Sequence, residues 1–244
     1  MNTYFFGGPI TRTVKALIAA NIAVYLLQIV AHLLGTSFID ATFGLVPNSV
    51  TNHLMLWQLV TYMFLHAMPN PFPFHILFNM LTLFMFGNDL ERYWGTRRFL
   101  SYYFITGIGA GVCSWIVTPH NTSAIIGASG AIYGLLLAYG VTYPNRIVYL
   151  NFLLPIKVKW LVIIMGAMAF LSSLGGADSG VANIAHLGGM VVGYVVLKGK
   201  AWWDKYRYFN EQRQREQLKR QFEVYYGDVR RKVEQDKKNG PTIH

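Results

Sequence analysis

The sequence predicts an all-α protein, a polytopic membrane bundle of six transmembrane helices. Three observations predict it. Of the 244 residues, 53% are hydrophobic and only 13% charged, with a mean hydropathy of +0.33, whereas soluble domains carry about 25% charged residues. Six apolar segments are long enough, or nearly so, to cross a bilayer as helices, which takes about 20 residues. The basic residues avoid those segments and collect on one side of them.

The segments run approximately over residues 16–34, 75–93, 99–118, 124–143, 160–175 and 181–197, the last two slightly short. Arg12 and Lys15 precede the first; Arg92, Arg97 and Arg98 follow the second; Arg146, Lys157 and Lys159 follow the fourth. The other basic residues follow the sixth, and the connections after spans one, three and five hold no Lys or Arg. By the positive-inside rule both termini are expected in the cytoplasm. Residues 1–10 are too short and polar for a cleavable signal, so the first apolar run reads as a first span. With no organelle-targeting segment ahead of it, a bacterial cytoplasmic membrane is the expected compartment.

The net charge of +10 raises the question of nucleic acid. Its distribution argues against such a partner, because thirteen of the twenty-one basic residues fall from Lys198 onward. The expected organisation is therefore a short cytoplasmic N-terminus (1–15), a six-span domain (16–200) and a basic cytoplasmic tail (201–244). In the tail Phe222, Tyr225, Tyr226, Val229 and Val233 recur at helical spacing. That pattern fits a solvated helix, with contact to anionic lipid as the alternative.

The first connection, residues 35–74, is too long for a plain turn. Its stretch from Trp57 to His66 is apolar and aromatic enough to lie in the membrane interface. The run Met68-Pro69-Asn70-Pro71-Phe72-Pro73 must be non-helical. Cys113 is the only cysteine, which removes disulfides and Cys-based metal sites. No HExxH, intramembrane aspartate pair or Walker sequence occurs. No metal or cofactor is expected, and metalloprotease, aspartyl-protease and pump chemistry fall away.

What remains is the set of polar side chains at membrane depth, each costly and each in need of a reason. Gly127-Ala128-Ser129-Gly130 opens the fourth span as G-x-S-G, distinct from the G-x-S-x-G elbow of soluble hydrolases. A nucleophilic serine needs an accessible hydroxyl and nearby N–H donors for the oxyanion formed on attack. Serine among small residues also serves as helix-packing glue, and Gly130 with Gly134 has that spacing. In span six His186, Gly189 and Gly193 share one helix face. Glycines there let a neighbouring helix approach; if that neighbour is span four, with Gly130 and Gly134, the imidazole is brought towards Ser129. Ser129 lies about 22 Å and His186 about 18 Å from the cytoplasmic ends of their spans, so both fall in the outer half of a layer about 30 Å thick. His75 and Asn79 share a face of span two and are suitable oxyanion donors. Tyr133, one turn below Ser129, is placed to stack on His186. Asn21, Gln28 and His32 of span one read as structural or interfacial. Neither Asp40 nor Asp178 lies on a span beside His186, so no triad aspartate is assigned. Glu91 and Arg92, bracketed by Gly87 and Gly95, read as a structural corner.

These motifs together resemble the rhomboid family of intramembrane serine proteases. The match rests on G-x-S-G at Gly127 to Gly130, A-H-x-x-G-x-x-x-G at Ala185 to Gly193 and H-x-x-x-N at His75 to Asn79. The aromatic first loop, Tyr133 and G-x-x-x-E-x-x-x-G at Gly87 to Gly95 add weaker matches. The resemblance implies a dyad of Ser129, the nucleophile, and His186, the general base. His75, Asn79 and the Ser129 backbone N–H would form the oxyanion hole, with Gly127, Gly130 and Tyr133 supporting. It implies single-pass membrane proteins as substrates, cut near the outer face, and gating by the loop 175–180 with parts of span five. Two departures accompany it. Gln58 follows Trp57 where the family often has arginine, and the proline-rich run lengthens the approach to His75. A catalytically inactive rhomboid-like membrane scaffold is the alternative reading, although such relatives typically lack the serine, the histidine or both.

Overall fold

The computed structural model describes residues 9–150, 154–174 and 182–199, together with residues 213, 216–219, 226–227, 230–232 and 234–235. Asp178, the loop 175–180 and the tail residues Phe222, Tyr225, Val229 and Val233 lie outside the described residues. The chain forms two compact units, Met1–Leu197 and Lys198–His244. In the second, the described residues are helical, and Arg230 Nε donates to Glu234 Oε1 at 3.2 Å, one turn along the helix.

The first unit is mostly helical. Helix α1 (Arg12–Leu33) is followed by three short helices, α2 (Phe38–Phe43), α3 (Pro47–His53) and α4 (Gln58–Thr61). A 3₁₀ turn at Tyr62–Phe64 then leads into a helix-free stretch, where non-helical backbone was expected. One helical run follows: α5 (Phe74–Thr82), a π turn (Leu83–Gly87) and α6 (Asn88–Trp94). Beyond it come α7 (Thr96–Val117), α8 (Ser129–Thr142), an antiparallel hairpin of β1 (Ile147–Leu150) and β2 (Leu154–Lys157), and α9 (Val158–Ser173). The last helix, α10, covers residues 182–199. Among the described residues two helices, α1 and α7 at 22 residues each, are long and apolar enough to cross a membrane, while α8 and α9 are shorter apolar helices. Hydropathy had marked six such segments.

The fourth segment differs most. It was expected to be helical from residue 124, but α8 begins at Ser129. Residues ahead of it are held by other backbone: Leu45 and Ile125 exchange N–H···O bonds of 2.9 and 2.8 Å, and the Gly127 N–H donates to Tyr62 O at 2.9 Å. Extended backbone at membrane depth is tolerable when protein satisfies its polar groups. The hairpin was not anticipated either. Its register sets Ile147 opposite Lys157 and Leu150 opposite Leu154.

Three polar residues lock the elements that carry the site. Glu91 is buried and accepts from Thr11 Oγ1 (2.5 Å), the Val14 N–H (3.3 Å) and Thr96 Oγ1 (2.8 Å). It thus takes up a free amide in the first turn of α1 and ties α1 to the α6–α7 corner, as its sequence context suggested. Asp89 accepts from Arg146 Nη1 (2.5 Å) and Tyr139 OH (2.9 Å). Gln58 anchors the first loop: its Oε1 accepts the Val46 N–H (3.0 Å) and its Nε2 donates to Thr42 O (3.3 Å). The Trp57 indole donates to that same carbonyl at 3.0 Å.

Helices α8 and α10 meet at their glycines. A Cβ on Gly189 would lie 2.0 Å from Gly130 O, and one on Gly193 would lie 3.4 Å from Gly134 Cα and 2.4 Å from Tyr102 OH. Tyr102 OH in turn donates to Gly134 O at 2.9 Å. Without a hydrophobic force between helices in lipid, this kind of small-residue contact carries the association. Gly189→Ala is therefore expected to force the two backbones apart and to lower stability by about 1–3 kcal/mol, the usual cost of overpacking. Gly199→Ala, where a Cβ meets nothing within 4 Å, serves as the control. Thermal denaturation in detergent reads both; an unchanged midpoint for Gly189→Ala would contradict the close contact.

Candidate active site

The N-terminus of α8 is the floor of the site. Ser129 is its first residue, after Ala128 as N-cap, so its backbone N–H is among those left free by the helix. Gly127 precedes it with φ +125°, a left-handed conformation that side chains rarely adopt. The missing side chain matters as much as the backbone angle. A Cβ on Gly127 would lie 2.8 Å from His75 Cε1, 2.9 Å from His75 Nε2 and 3.6 Å from Ser129 Oγ. Gly127 thus leaves open the space between the serine hydroxyl and the His75 ring.

His186 stands on α10, one turn before Gly189, and the glycine contact brings its ring over the serine. Its Nε2 lies 2.8 Å from Ser129 Oγ. The Tyr133 ring stacks on the imidazole with centroids 4.4 Å apart and planes 2° from parallel. Among the described residues His186 Nδ1 has no hydrogen-bond partner. Asp40, unassigned in the sequence reading, bonds elsewhere, with His32 Nε2 and Gln28 Nε2 each at 2.5 Å.

His75 and Asn79 both come from α5. Asn79 is buried, and its Nδ2 donates to His75 O, one turn earlier, at 2.8 Å. An amide nitrogen carries two protons, so a second donor remains. His75 Nδ1 accepts the Ala67 N–H at 3.1 Å, which leaves Nε2 as the atom facing the gap above Gly127. The structure therefore brings Ser129, His186, Tyr133, His75 and Gly127 around one space. Gly130 lies at the helix contact, and Asn79 touches the group through its bond to the His75 carbonyl.

Two neighbours carry no site role in the sequence pattern. His66 is fully buried in the first loop, its ring 5.2 Å from that of His75 and edge-on to Tyr25 at 6.4 Å. Gln28, also fully buried, bonds the His66 backbone from both sides. The available signal was a strongly polar amide in the middle of an otherwise apolar span.

The sequence model of the rhomboid domain matches residues 53–200, which include every residue of this site. The chain belongs to the rhomboid family. Among its rhomboid relatives is "Rhomboid protease AarA" of Providencia stuartii, 32% identical over 213 residues, covering 78% of this chain and 72% of that protein. "Rhomboid protease GluP" of Bacillus subtilis is 34% identical over 154 residues, 62% of this chain, and the match spans 27% of that longer protein. "Rhomboid protease GlpG" of Yersinia pestis is 26% identical over 198 residues, 81% of this chain and 63% of that one.

Within this rhomboid chain His66 also sets a pH dependence. Burial, and then the neighbouring His75, push its imidazole down from 6.5 to about 3. The unfolded chain therefore binds a proton at pH values where the folded chain does not. The stability held by neutral His66 is complete above pH 6.5 and is lost progressively as pH falls towards 3. Among the described residues neither ring nitrogen meets a partner at hydrogen-bond geometry, the Phe64 backbone exerting only a minor pull, so His66→Leu should cost little at pH 7. The expected result is a smaller fall in unfolding temperature between pH 7 and pH 4 in His66→Leu than in the parent; parallel curves would assign the acid sensitivity elsewhere.

Proposed function

We propose that this rhomboid-family chain is an intramembrane serine endopeptidase acting through a dyad of Ser129 and His186. The observation that carries the reading is the 2.8 Å approach of His186 Nε2 to Ser129 Oγ, with the imidazole stacked on Tyr133. It is supported by relatives named as rhomboid proteases.

The chemistry follows from the contacts. His186 Nε2 takes the Ser129 hydroxyl proton as Oγ attacks the scissile carbonyl carbon. The carbonyl π bond becomes an oxyanion, for which the Ser129 backbone N–H, the His75 Nε2–H and the second Asn79 Nδ2–H are the proposed donors. Collapse breaks the C–N bond, and the imidazolium returns its proton to the leaving amine. Water then gives a proton to His186 and attacks the acyl ester, and the reverse collapse frees Ser129 Oγ and the new carboxylate. The supporting ring of Tyr133 holds the imidazole plane through both halves. No step calls for a metal or other cofactor.

The substrates proposed are single-pass membrane proteins, cut in or near their transmembrane segment. The bilayer setting proposed is six apolar passes with cytoplasmic termini, a basic tail beyond residue 200 and the dyad in the outer half, open to the external face of a bacterial cytoplasmic membrane; the one-sided distribution of basic residues supports it. The basic tail is assigned to the cytoplasm and not to nucleic acid.

Labelling with a fluorophosphonate probe and cleavage of a model transmembrane substrate, both in detergent, test the dyad. Labelling and cleavage are expected in the parent and absent in Ser129→Ala and His186→Ala, a loss on the order of 10⁶-fold. His75→Ala should lose less, about 10²–10³-fold, because other oxyanion donors remain. A metal chelator should leave turnover intact. No label and no cleavage in folded parent protein would favour the inactive scaffold instead.

A further inference from the structure

Gln28 sits in the middle of α1, a helix that supplies none of the reacting groups, and its side chain is fully buried. Its Nε2 donates to Asp40 Oδ1 (2.5 Å) and to His66 O (3.2 Å), and its Oε1 accepts the His66 N–H (3.0 Å). Asp40 is held from its other oxygen by His32 Nε2 at 2.5 Å. An ionised carboxylate only accepts, so the bond to Asp40 decides which end of the Gln28 amide is nitrogen.

The carbonyl of His66 and the N–H of Ala67 are opposite ends of one peptide group. Gln28 grips the first, and the second donates to His75 Nδ1 at 3.1 Å. A backbone N–H can only donate, so Nδ1 must present a lone pair, and the proton of a neutral His75 then sits on Nε2. Hydrogen bonds through a shared peptide group polarise one another, which strengthens the hold of the outer contacts on the inner one. Nε2 is the atom facing the space above Gly127. The opposite tautomer would set two N–H groups against each other at Ala67 and aim a lone pair at a developing oxyanion.

We infer that Gln28 is a positioning residue: through the peptide group joining His66 to Ala67 it holds His75 in the Nε2–H tautomer. The consequence for turnover rests on the peptidase reading above; the tautomer does not. Asp40, with His32 behind it, is the outer anchor of the same chain of contacts.

Nitrogen-15 spectra of histidine-labelled protein in detergent, with His75 assigned by its loss in His75→Gln, read the tautomer directly. The parent should show a protonated Nε2 and an unprotonated Nδ1 at neutral pH, and Gln28→Leu should show a mixture of tautomers. On a model transmembrane substrate Gln28→Leu should lower kcat about tenfold, less than loss of a donor outright, with KM little changed. Added to His75→Ala it should cost nothing further. A parent His75 protonated on Nδ1, a tautomer unmoved by Gln28→Leu, or losses that add to those of His75→Ala would overturn the inference. Should Gln28→Leu fail to fold, the parent spectrum and Asp40→Asn, expected to act in the same direction more weakly, decide it. A parent without Ser129-dependent cleavage would sink the peptidase reading while leaving the spectral test in force.

Discussion

Two helices in backbone contact are the constraint on which the site depends. Gly130 O occupies the space a side chain on residue 189 would need, so α8 and α10 cross as closely as peptide groups allow. Ser129 is the residue before Gly130, and His186 lies one turn before Gly189 on the same face. The crossing point therefore sets the distance between hydroxyl and imidazole. A methyl group inserted at the crossing would separate the helices by more than the tolerance of a hydrogen bond. Tyr133, one turn below Ser129, adds what the crossing alone does not supply: a flat surface that fixes the imidazole plane.

The rest of the first unit keeps that crossing in place and keeps irregular backbone satisfied around it. Tyr62 joins several requirements. Its carbonyl receives the Gly127 N–H, and its hydroxyl donates to Gly107 O at 2.6 Å, linking the first loop to α7. Next to Gly107 on α7, Thr106 fills the notch at Gly134: its Oγ1 donates to Tyr102 O at 2.8 Å, so a polar side chain packs against a glycine without an orphaned group. The Leu45–Ile125 bridge satisfies the segment leading to Ser129. Helix α8 can then start deep in the fold with its first amides directed at the site.

Local periodicity carried the legible part. The shared faces of His75 with Asn79, of Ser129 with Tyr133 and of His186 with Gly189 and Gly193 follow from residues three, four and seven apart on a helix, and such spacing is visible in a single sequence; the pairing of Ser129 with His186 needed the family resemblance as well. The start of α8 was not visible. Residues 124–128 read Ala-Ile-Ile-Gly-Ala, and hydropathy scores their polarity without regard to where their N–H groups go. The helix breaks there because Leu45 and Tyr62, distant in sequence, offer better partners. Gln28 reads as structural or interfacial in the sequence, and its partners stayed hidden for a related reason. Its partners lie 12 and 38 residues away, and no periodicity links α1 to a loop that folds back over it. Gln58 shows the converse: its departure from the family pattern was noticed, but that an amide could anchor the loop by bonding Val46 and Thr42 emerged only in three dimensions.

The two histidines around Ser129 present the same atom, Nε2, to the same space, and the proposed reaction asks opposite things of them. As base, His186 must offer a lone pair at Nε2 and keep its proton on Nδ1. As oxyanion donor, His75 must offer Nε2–H and keep Nδ1 bare. What separates the roles is the group at Nδ1. For His75 it is the Ala67 N–H, a donor that excludes a proton. For His186 no donor approaches Nδ1 among the described residues, and the ring is oriented by stacking on Tyr133, which is indifferent to the tautomer. A carboxylate is the usual way to hold such a base; here the serine hydroxyl, which can donate or accept, leaves the imidazole free to take the tautomer that the proposed attack requires. The Ala67 amide thus reserves His75 for the donor role and leaves the role of base to His186.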